Sequence, residues 1–392
     1  MPGPITTVCL ISFSNIATDG RIRRHGDLLA DLGLEVHGVG LSGPPAAHPP
    51  AWTIRTIDDR PWSTGEIALQ AVRLALARPL PRTAARSYWK SPRYRSMYEL
   101  AAQVRADLYV ANDWNTLPIA ARLAAERGTR YAYDTHEYAV AEKADESKWR
   151  LVWPPFLRAI EGALIPGAVY VTTVSEGIAA FLQRDHALAA PPVVVRNAPR
   201  FAAMPLRPPA DPLVVLFHGG LLRDRGLETL IDSAALWTHG QRLLIRGNGA
   251  PAYVEALRAR AAASPAADRI AFEPAVDPTA VVEAANRTAD IGIYFPSALN
   301  DQTRHALPNK FFEYTMAGLA LCVLGGTELG ALVTQYENGG LITTPSAAAV
   351  AAAINAMDAE KVLAYKEKSL DAAPALSWEN ERAALQQLYA GS

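Results

Sequence analysis

The sequence predicts an α/β protein with two domains, each built around a parallel β-sheet. Short apolar segments, typical of strands buried on both faces, alternate with segments of helical periodicity along nearly the whole chain. At 392 residues the chain is also longer than most single domains. The alternation starts again after a proline-rich stretch at residues 199–212, which we interpret as the linker between the two domains.

The composition is that of an ordinary globular protein. Half of the residues are hydrophobic, and a formal net charge of -1 gives no general attraction to nucleic acid. Both cysteines, Cys9 and Cys322, fall in predicted core strands, so neither a disulfide framework nor a cysteine metal site is expected. No leader pattern and no apolar run near the ~20 residues of a membrane-spanning helix is present. We therefore expect a cytoplasmic protein.

The first half begins with a strand, a loop, a helix and a second strand. Residues 8–13 and 36–41 are the predicted strands, and Asp19 is expected to cap a helix that ends at Gly33. Such a unit produces a parallel sheet. The loop lacks the G-x-G-x-x-G pattern, and no other strand is followed by it. A nicotinamide or flavin dinucleotide site of the usual kind is therefore not predicted.

Polar residues follow a later strand of the first half. Residues 130–134 are a predicted strand, and Asp134, His136 and Glu137 lie at its carboxyl end. Open α/β sheets bind ligands beyond the carboxyl ends of their strands, so these residues stand where chemistry can occur. By itself this placement does not separate a reactive histidine from an ordinary surface histidine.

Two further segments of the first half are unusual in composition. Residues 73–98 carry basic residues without one acid, interleaved with tyrosine and tryptophan. Three interpretations are open: a solvated basic face, a surface for anionic lipid or a phosphate-bearing acceptor, and, against the overall charge balance, nucleic acid. Residues 149–157 (WRLVWPPFL) form an aromatic patch that either packs between helices or makes peripheral contact with a membrane.

The second half repeats the strand and helix pattern and adds a glycine-rich loop. A predicted strand at residues 213–217 leads into residues 218–226, and a helix is expected at residues 227–237. Glycines let the backbone approach a ligand closely, and Arg223 and Arg225 add positive charge just before the helix. The Gly-Lys-Ser/Thr ending of a P-loop is missing. The segment is either a phosphate-binding loop or a plain connection with exposed arginines.

A short helix near residue 310 is the second candidate anion site. Pro308 suits its first turn, Gly318 suits its end, and a buried strand is predicted directly after it. Helical side chains lean toward the N-terminus, so Lys310 and Glu313 would overhang the helix start, which attracts anions. Asn309 shares the Glu313 face. A nucleoside diphosphate fits this arrangement, with the lysine on the phosphates and the carboxylate on the ribose. Taken alone, the helix favours a simpler interpretation, in which the lysine is solvated and the acid complements the dipole.

The order and spacing of these motifs resemble those of a known family, the retaining glycosyltransferase family 4, also called glycosyl transferases group 1. The likeness covers nearly the whole chain. The segments that carry it are DGRIRRHGDLLADLGLEVHGVG, YDTHEY, TVSEGIAAFL, VVRNAP, HGGLLRDRGLETLIDSA, ADIGIYFPS and ALPNKFFEYTMAGLALCVLG, of which the last is the most specific.

The resemblance implies the GT-B architecture, in which two doubly wound, Rossmann-like parallel-sheet domains face each other across a cleft. An N-terminal, acceptor-side domain is expected at residues 1–200 and a C-terminal, donor-side domain at residues 201–376. The segment SWENERAALQQLY resembles the terminal helix that returns to the first domain in this architecture. Residues 377–392 are therefore assigned to the first domain.

The resemblance also implies an activity. The expected reaction moves a sugar from a UDP- or GDP-linked donor to a hydroxyl of a glycan, lipid-linked or small-molecule acceptor, with retained configuration. Neither a metal nor a cofactor beyond the nucleotide sugar is expected, because Arg225 and Lys310 can neutralise the departing diphosphate. The sequence does not name the sugar, the base or the acceptor.

The resemblance further assigns site residues. The predicted catalytic residues are His136, Arg225, Lys310 and Glu313. The predicted donor-binding residues are Gly219, Gly220, Arg223, Arg225, Glu273, Val276, Ala306, Leu307, Asn309, Lys310 and Glu313, and those on the acceptor side are Asp19, Gly20 and His136. Within these sets Gly220 allows close approach of the diphosphate, and the backbone edge at residues 273–276 reads the base.

Two positions depart from the family pattern. Many members carry a glutamate eight residues before the equivalent of Glu313, where this chain has His305, so the amides of Ala306 and Leu307 are expected to contact the donor sugar instead. Many relatives also have an arginine at the position of Gly220, for which Arg223 or Arg225 would compensate. Two alternatives therefore stay open: a GT-B hydrolase, phosphorylase or epimerase, and a non-catalytic nucleotide-sugar-binding partner of a transferase.

Overall fold

The computed structural model describes residues 3–46, 48–59, 65, 69, 82–141 and 147–390. The chain divides into two compact units. One unit consists of Met1–Val195 together with Arg382–Ser392, and the other consists of Arg196–Glu381. The proline-rich stretch at residues 199–212 therefore belongs to the second unit.

The first unit contains one parallel sheet flanked by helices. Its described strands are β1 (Thr7–Asn15), β2 (Glu35–Leu41), β3 (Thr53–Ile57), β4 (Leu108–Asn112), β5 (Arg130–Asp134), β6 (Val171–Thr173) and β7 (Val193–Val194). Its described helices are α1 (Gly20–Asp31), α2 (Arg82–Tyr88), α3 (Pro92–Ala101), α4 (Leu117–Arg127), α5 (Ser147–Leu164) and α6 (Glu176–His186). The strands lie in the order β3-β2-β1-β4-β5-β6-β7, and every pair is parallel.

The strand order of the first unit determines where a ligand would meet it. From β1 the chain proceeds to β2 and β3 on one side, and from β4 to β7 on the other. The order of strand addition therefore reverses between β1 and β4. At this sheet reversal the loops after the two central strands separate and leave a crevice at the carboxyl ends of these strands. The residues that follow β1 and β4 line this position, and those that follow β5 lie beside it.

The ends of the helices follow from local sequence, as predicted. The Asp19 side chain caps α1 by accepting hydrogen bonds from the backbone N–H groups of Arg21 and Ile22. Gly33 follows the same helix with a φ of +81°, which favours glycine. Ser175 caps α6 through the N–H of Ile178. For α1 and for the start of α6, the local sequence is therefore sufficient to explain the helix boundary.

The second unit has the same construction. Its described strands are β8 (Val214–His218), β9 (Arg242–Arg246), β10 (Ile270–Glu273), β11 (Ile291–Tyr294), β12 (Ala320–Leu324) and β13 (Gly339–Ile342). Its described helices are α7 (Leu227–Ala234), α8 (Pro251–Ala262), α9 (Val281–Thr288), α10 (Asp301–His305), α11 (Asn309–Met316), α12 (Glu328–Tyr336), α13 (Ala347–Asn355) and α14 (Ala359–Ala372). A last helix, α15 (Trp378–Ala390), begins in this unit, and its residues from Arg382 onward are grouped with the first.

The second sheet is also parallel, and the order in which its strands are added also reverses once. Its order is β10-β9-β8-β11-β12-β13, so the reversal lies between β8 and β11. β12 is apolar and buried along its whole length, which confirms the buried strand predicted after Gly318. Cys9 and Cys322 lie within the two cores, and burial raises the pKa of each thiol to about 12. At neutral pH both thiols are therefore protonated and unreactive.

The start of α11 differs from the sequence prediction. Pro308 precedes α11 as its N-cap residue instead of occupying its first turn. A short helix, α10, lies between β11 and α11, because Asn300 and Thr303 form a reciprocal capping box.

Of the two unusual segments of the first half, residues 73–98 lie partly outside the described residues. Arg73 and Arg78 are outside them, but Tyr88 and Tyr94 are buried in the core and stack at a centroid distance of 4.1 Å. Arg93 forms an ion pair with Asp59 at 2.9 Å. No helix of the described residues has the length and apolar character needed to cross a membrane. The cytoplasmic location and the peripheral membrane contact stay predictions.

Candidate donor site and its family

The predicted donor residues converge at the reversal of the second sheet. Phe217 and His218 end β8, and Tyr294 ends β11, so their side chains flank the crevice. The Lys310 ammonium lies 5.2 Å from the centroid of the Phe217 ring and 4.8 Å from that of Tyr294. Arg225 Nη1 donates a 2.8 Å hydrogen bond to the Tyr294 hydroxyl. Two cations thus share one tyrosine at the place where an open α/β sheet binds its ligand.

The electrostatic state of Lys310 is unusual. The residue is half-buried between the aromatic rings, and burial, together with the nearby Arg225 guanidinium, lowers its pKa to about 7. Glu313 and Asp224 act in the opposite direction but do not restore the ordinary pKa. A cation at neutral pH is therefore disfavoured here until an anion arrives.

Glycines make room for the backbone beside this cluster. Gly219 has a φ of +109°, and a Cβ atom placed there would lie 3.7 Å from Lys310 Nζ. A Cβ on Gly247 would lie 1.8 Å from the Gly219 carbonyl oxygen, so a side chain at Gly247 is incompatible with this loop. Gly220 is exposed, and a Cβ placed there would make only ordinary contacts, at 3.6 and 3.7 Å, with the side chain of Leu222. The protein itself therefore does not require a glycine at 220.

Glu313 lies one helical turn after Lys310 and contacts a histidine that the sequence analysis did not single out. Its Oε2 is 2.8 Å from Nε2 of His218, whose side chain is only 2% exposed, whereas the Glu313 side chain is 21% exposed. The backbone N–H of His218 donates to the Tyr314 hydroxyl at 2.9 Å. The strand end and the helix are thereby joined at two adjacent residues.

Four other predicted donor residues lie in different surroundings. Arg223 is exposed and lies over the ring of Tyr253, at 4.6 Å from its centroid. Glu273 ends β10 and accepts two 2.9 Å contacts from the buried Arg246, and its carbonyl accepts the N–H of Gly247. Val276, two residues beyond the Pro274 that follows β10, is half-buried, and Asn309 is exposed at the start of α11.

The structure corrects one of the roles assigned around His305. The backbone N–H of Ala306 donates to the carbonyl of Gln302 at 2.8 Å and closes α10, so it is not free to contact a donor sugar in this conformation. Leu307 anchors the segment by burying its side chain in the core. His305 Nδ1 lies 3.1 Å from a carboxylate oxygen of Glu328. The segment before α11 is therefore more ordered than the sequence analysis supposed.

The first unit brings the predicted acceptor-side residues to its own sheet reversal. His136 follows β5 and lies between two carboxylates, with Nδ1 3.3 Å from Asp113 and Nε2 3.4 Å from Asp134. Burial lowers the pKa of His136, but the two carboxylates outweigh it and raise that pKa to about 9. His136 is thus an imidazolium cation at neutral pH. It can donate hydrogen bonds, but it cannot act as a general base.

Asp134 is part of a buried ion pair and not an exposed reactive group. Its oxygens accept from Arg21 Nε at 2.8 Å and Nη2 at 2.5 Å, and from the Thr172 hydroxyl at 2.6 Å. The Arg21 guanidinium also donates to the Val195 carbonyl at 2.6 Å. Despite the cost of burial, these contacts hold the pKa of Asp134 well below its usual range. Asp134 lies 3.4 Å from Nε2 of His136, so the ion pair lies directly beside the imidazole ring.

Asp19 and Gly20 lie where β1 leads into α1. Asp19 is occupied as the cap of this helix, which is a structural role in addition to any contact with a ligand. A Cβ on Gly20 would meet only the flexible end of Arg24, at 3.2 Å. Among the described residues, no rigid group excludes a side chain at Gly20, so its contact with a ligand stays a prediction.

Sequence reasoning missed His218, Tyr294, Asp113 and Arg21. Three of them end or directly follow a strand, so the rule that ligands bind at the carboxyl ends of strands would have found them. Asp113 carries a second signal, a φ of +66°, which is uncommon outside glycine and concentrates at functional sites. That signal is visible only in the structure.

A family model matches most of the first unit. Residues 20–198 match the family model described as a glycosyl transferase 4-like domain. The matched segment includes Gly20, Asp113 and His136, and it therefore contains the sheet reversal described above. No match was found among curated proteins.

Solved structures establish the fold of the whole chain. Sucrose-phosphate synthase from Thermosynechococcus elongatus matches with a TM-score of 0.75 and 17% identity over 98% of each chain. HepE from Anabaena, in complex with UDP and glucose, matches with a TM-score of 0.70 and 13% identity. This match covers 99% of this chain and 100% of the HepE chain. WaaG, a glycosyltransferase involved in lipopolysaccharide biosynthesis, matches with a TM-score of 0.66 and 14% identity. This match covers 98% of this chain and 100% of WaaG.

These similarities confirm the predicted fold class, two Rossmann-like parallel-sheet domains of the GT-B type. Together with the match of residues 20–198 to the glycosyl transferase 4-like model, they support the prediction of a glycosyltransferase.

Proposed function

We propose that this chain moves a sugar from a nucleoside diphosphate donor, of the UDP or GDP type, to an acceptor hydroxyl with retained configuration and without a required metal. The observation that carries the proposal is the pair of cations, Lys310 and Arg225, held on Tyr294 at the sheet reversal of the second unit. A diphosphate is the ligand that would relieve their mutual repulsion.

The UDP form of the donor has support from similar structures. HepE was solved in complex with UDP and with UDP-glucose, and an E. coli protein of the trehalose-6-phosphate system was bound with UDP-2-fluoro glucose. Their identities to this chain lie between 12% and 14%. At such distances the base is not transferable by likeness, so the GDP alternative remains within the proposal.

The proposed chemistry assigns a task to each group. The bond between the anomeric carbon and the diphosphate breaks, a bond to the acceptor oxygen forms, and the acceptor proton passes to a diphosphate oxygen. Lys310 and Arg225 stabilise the charge that develops on the diphosphate, which is the task that a metal ion performs in other transferases. Glu313 accepts from the ribose hydroxyls. His136, as a cation, donates to the donor sugar.

Exchange of Lys310 for methionine tests the proposal. Lys310→Met keeps the aliphatic stem between the rings and removes the charge, so transfer activity should fall about 100-fold with the fold intact. Lys368→Met is a matched control, because Lys368 is exposed and pairs only across the surface with Glu337 at 3.3 Å. Full activity of a correctly folded Lys310→Met protein would refute the assignment.

The same assay distinguishes the alternatives. Equal donor consumption with and without acceptor would indicate a hydrolase, whereas tight donor binding without turnover across a broad acceptor panel would indicate a non-catalytic partner. Activity that EDTA abolishes and a divalent cation restores would remove the metal-independent part of the proposal. Nuclear magnetic resonance of the product determines whether the anomeric configuration is retained.

A further inference from the structure

A buried histidine contacts the carboxylate that the proposed function places on the ribose. His218 is 2% exposed, and its Nε2 lies 2.8 Å from Oε2 of Glu313. Neither ring nitrogen makes a well-directed hydrogen bond within the described part of the chain, although the contact to Glu313 is short. An imidazole buried in this way has an unmet need for hydrogen bonds. The nearest group able to meet it is Glu313.

Contacts other than the one with Glu313 fix the position of His218. The His218 backbone N–H donates to the Tyr314 hydroxyl at 2.9 Å, and the His218 ring packs on the Tyr314 ring at a centroid distance of 4.4 Å. Tyr314 in turn fits against Gly292 of β11, where a Cβ would lie 2.3 Å from the tyrosine ring. The position of His218 relative to α11 is therefore fixed by rigid parts of the fold and not by the Glu313 contact.

The carboxylate differs from the histidine in its exposure. The Glu313 side chain is 21% exposed and extends from the second turn of α11, so it can rotate while His218 cannot. With a proton on Nε2, His218 would bind one carboxylate oxygen and leave the other to accept from a hydroxyl. Hydrogen bonds at active sites are often poorly aligned without substrate and align when it binds. A bound ribose would supply the second contact that orients the carboxylate.

We propose that His218 is a positioning residue, which orients the Glu313 carboxylate for the ribose hydroxyls and thereby makes the site selective for ribonucleotide donors. The inference rests on the proposed function, because Glu313 is the ribose-binding group only if the second unit binds a nucleoside diphosphate. His218 itself does not touch the ligand. It acts through Glu313 alone.

The test compares two nucleotides on three proteins. The dissociation constants of uridine or guanosine diphosphate and of the matching 2′,3′-dideoxy nucleotide are measured by titration calorimetry for wild type, His218→Phe and His218→Gln. Phenylalanine keeps the contact with the Tyr314 ring and removes the donor, whereas glutamine keeps an N–H donor. We expect His218→Phe to weaken ribonucleotide binding about tenfold and dideoxynucleotide binding less than twofold. His218→Gln should stay within about threefold of wild type.

A double-mutant cycle separates this role from a general structural one. In the Glu313→Ala background, His218→Phe should have no further effect on the affinity, because its only route to the ligand has been removed. Equal weakening of both nucleotides, or additive effects of the two substitutions, would overturn the inference. If His218→Phe does not fold, His218→Asn replaces it, since asparagine is too short to reach Glu313 and should show the same selective loss.

Failure of the proposed function gives a different pattern. A wild-type protein that binds neither nucleoside diphosphate would refute the proposed function and this inference with it. Nucleotide binding that depends on Lys310 but is indifferent to His218 would refute the positioning role alone.

Discussion

The ammonium of Lys310 lies 4.8 Å from the centroid of the Tyr294 ring, and the hydroxyl of the same ring accepts a hydrogen bond from Arg225. One tyrosine therefore contacts both cations of the candidate donor site, through its face and through its edge. The ring offers the lysine an attractive quadrupole, and the hydroxyl fixes the guanidinium. The arrangement keeps the two basic side chains close together before any ligand is present.

Replacement of Tyr294 by phenylalanine tests the role of the hydroxyl. The ring below Lys310 remains, and so does the 3.5 Å contact of Arg225 with Asp224, but Arg225 loses one acceptor. The guanidinium is then less well fixed, and the ligand must order it further at an entropic cost. We expect the dissociation constant for a nucleoside diphosphate to rise about tenfold, which corresponds to one charged hydrogen bond. Thermal unfolding should change little.

A matched control is present in the same unit. Arg223 lies over Tyr253 at 4.6 Å, so Tyr253→Phe is the same substitution below an exposed arginine outside the cation pair. It should change the dissociation constant less than twofold if Arg223 takes no part in binding. Equal effects of the two substitutions would assign the diphosphate to both arginines. No effect at Tyr294 would exclude the proposed geometry.

The lowered pKa of Lys310 predicts that nucleotide affinity depends on pH. In the free protein this pKa is about 7, chiefly because of burial and then because of Arg225. A bound diphosphate favours the protonated lysine and raises the pKa. Between the free and the bound pKa, the complex holds a proton that the free protein has lost, so affinity falls up to tenfold per pH unit as the pH rises from 7 to 9.

Titration calorimetry at pH 8 in buffers of different ionisation enthalpy measures the expected proton uptake directly. The terminal phosphate of the nucleotide is already ionised above pH 7 and adds no titration of its own in this range. Lys310→Met should bind more weakly at pH 7 and lose both the slope and the proton uptake. A wild-type affinity that is constant from pH 7 to 9 would contradict the assigned charge state.

The fold was predictable because its signals are local. The strands of the two cores are apolar runs such as Leu319–Leu324, and burial on both faces of a parallel sheet demands that composition. Asp19 and Ser175 sit one residue before their helices and cap them by contacts within four residues. In contrast, α10 is five residues long and depends on a capping box between Asn300 and Thr303, a signal too short to separate from loop composition.

The site was predictable only in part, because its side chains meet across long stretches of sequence. Lys310 and Arg225 were identified from their place at helix starts, which is local information. Nothing local indicates that His218 meets Glu313, 95 positions away, or that Arg21 meets Asp134, 113 positions away. Such pairs depend on which strands become neighbours. The sequence also left Ala306 available to a ligand, whereas the formation of α10 uses its N–H.

The buried ion pair of Arg21 and Asp134 predicts a large effect on stability. The two side chains are 6% and 3% exposed and are joined by two hydrogen bonds of 2.8 and 2.5 Å. Asp134→Asn leaves the guanidinium without its counter-charge in a buried place and should cost about 3–5 kcal/mol of unfolding free energy. The double variant Arg21→Met/Asp134→Leu removes both charges and should lose less than either single variant.

An exposed pair of the same geometry is the control for this prediction. Arg260 and Asp232 are joined by bonds of 2.7 and 2.5 Å, but their side chains are 46% and 43% exposed. Asp232→Asn should cost at most about 1 kcal/mol, because water screens an exposed pair. Chemical unfolding measures both losses, and hydrogen exchange of the β5 amides assigns the larger one to the first unit. Similar losses at the two pairs would show that burial does not determine the contribution of Arg21 and Asp134.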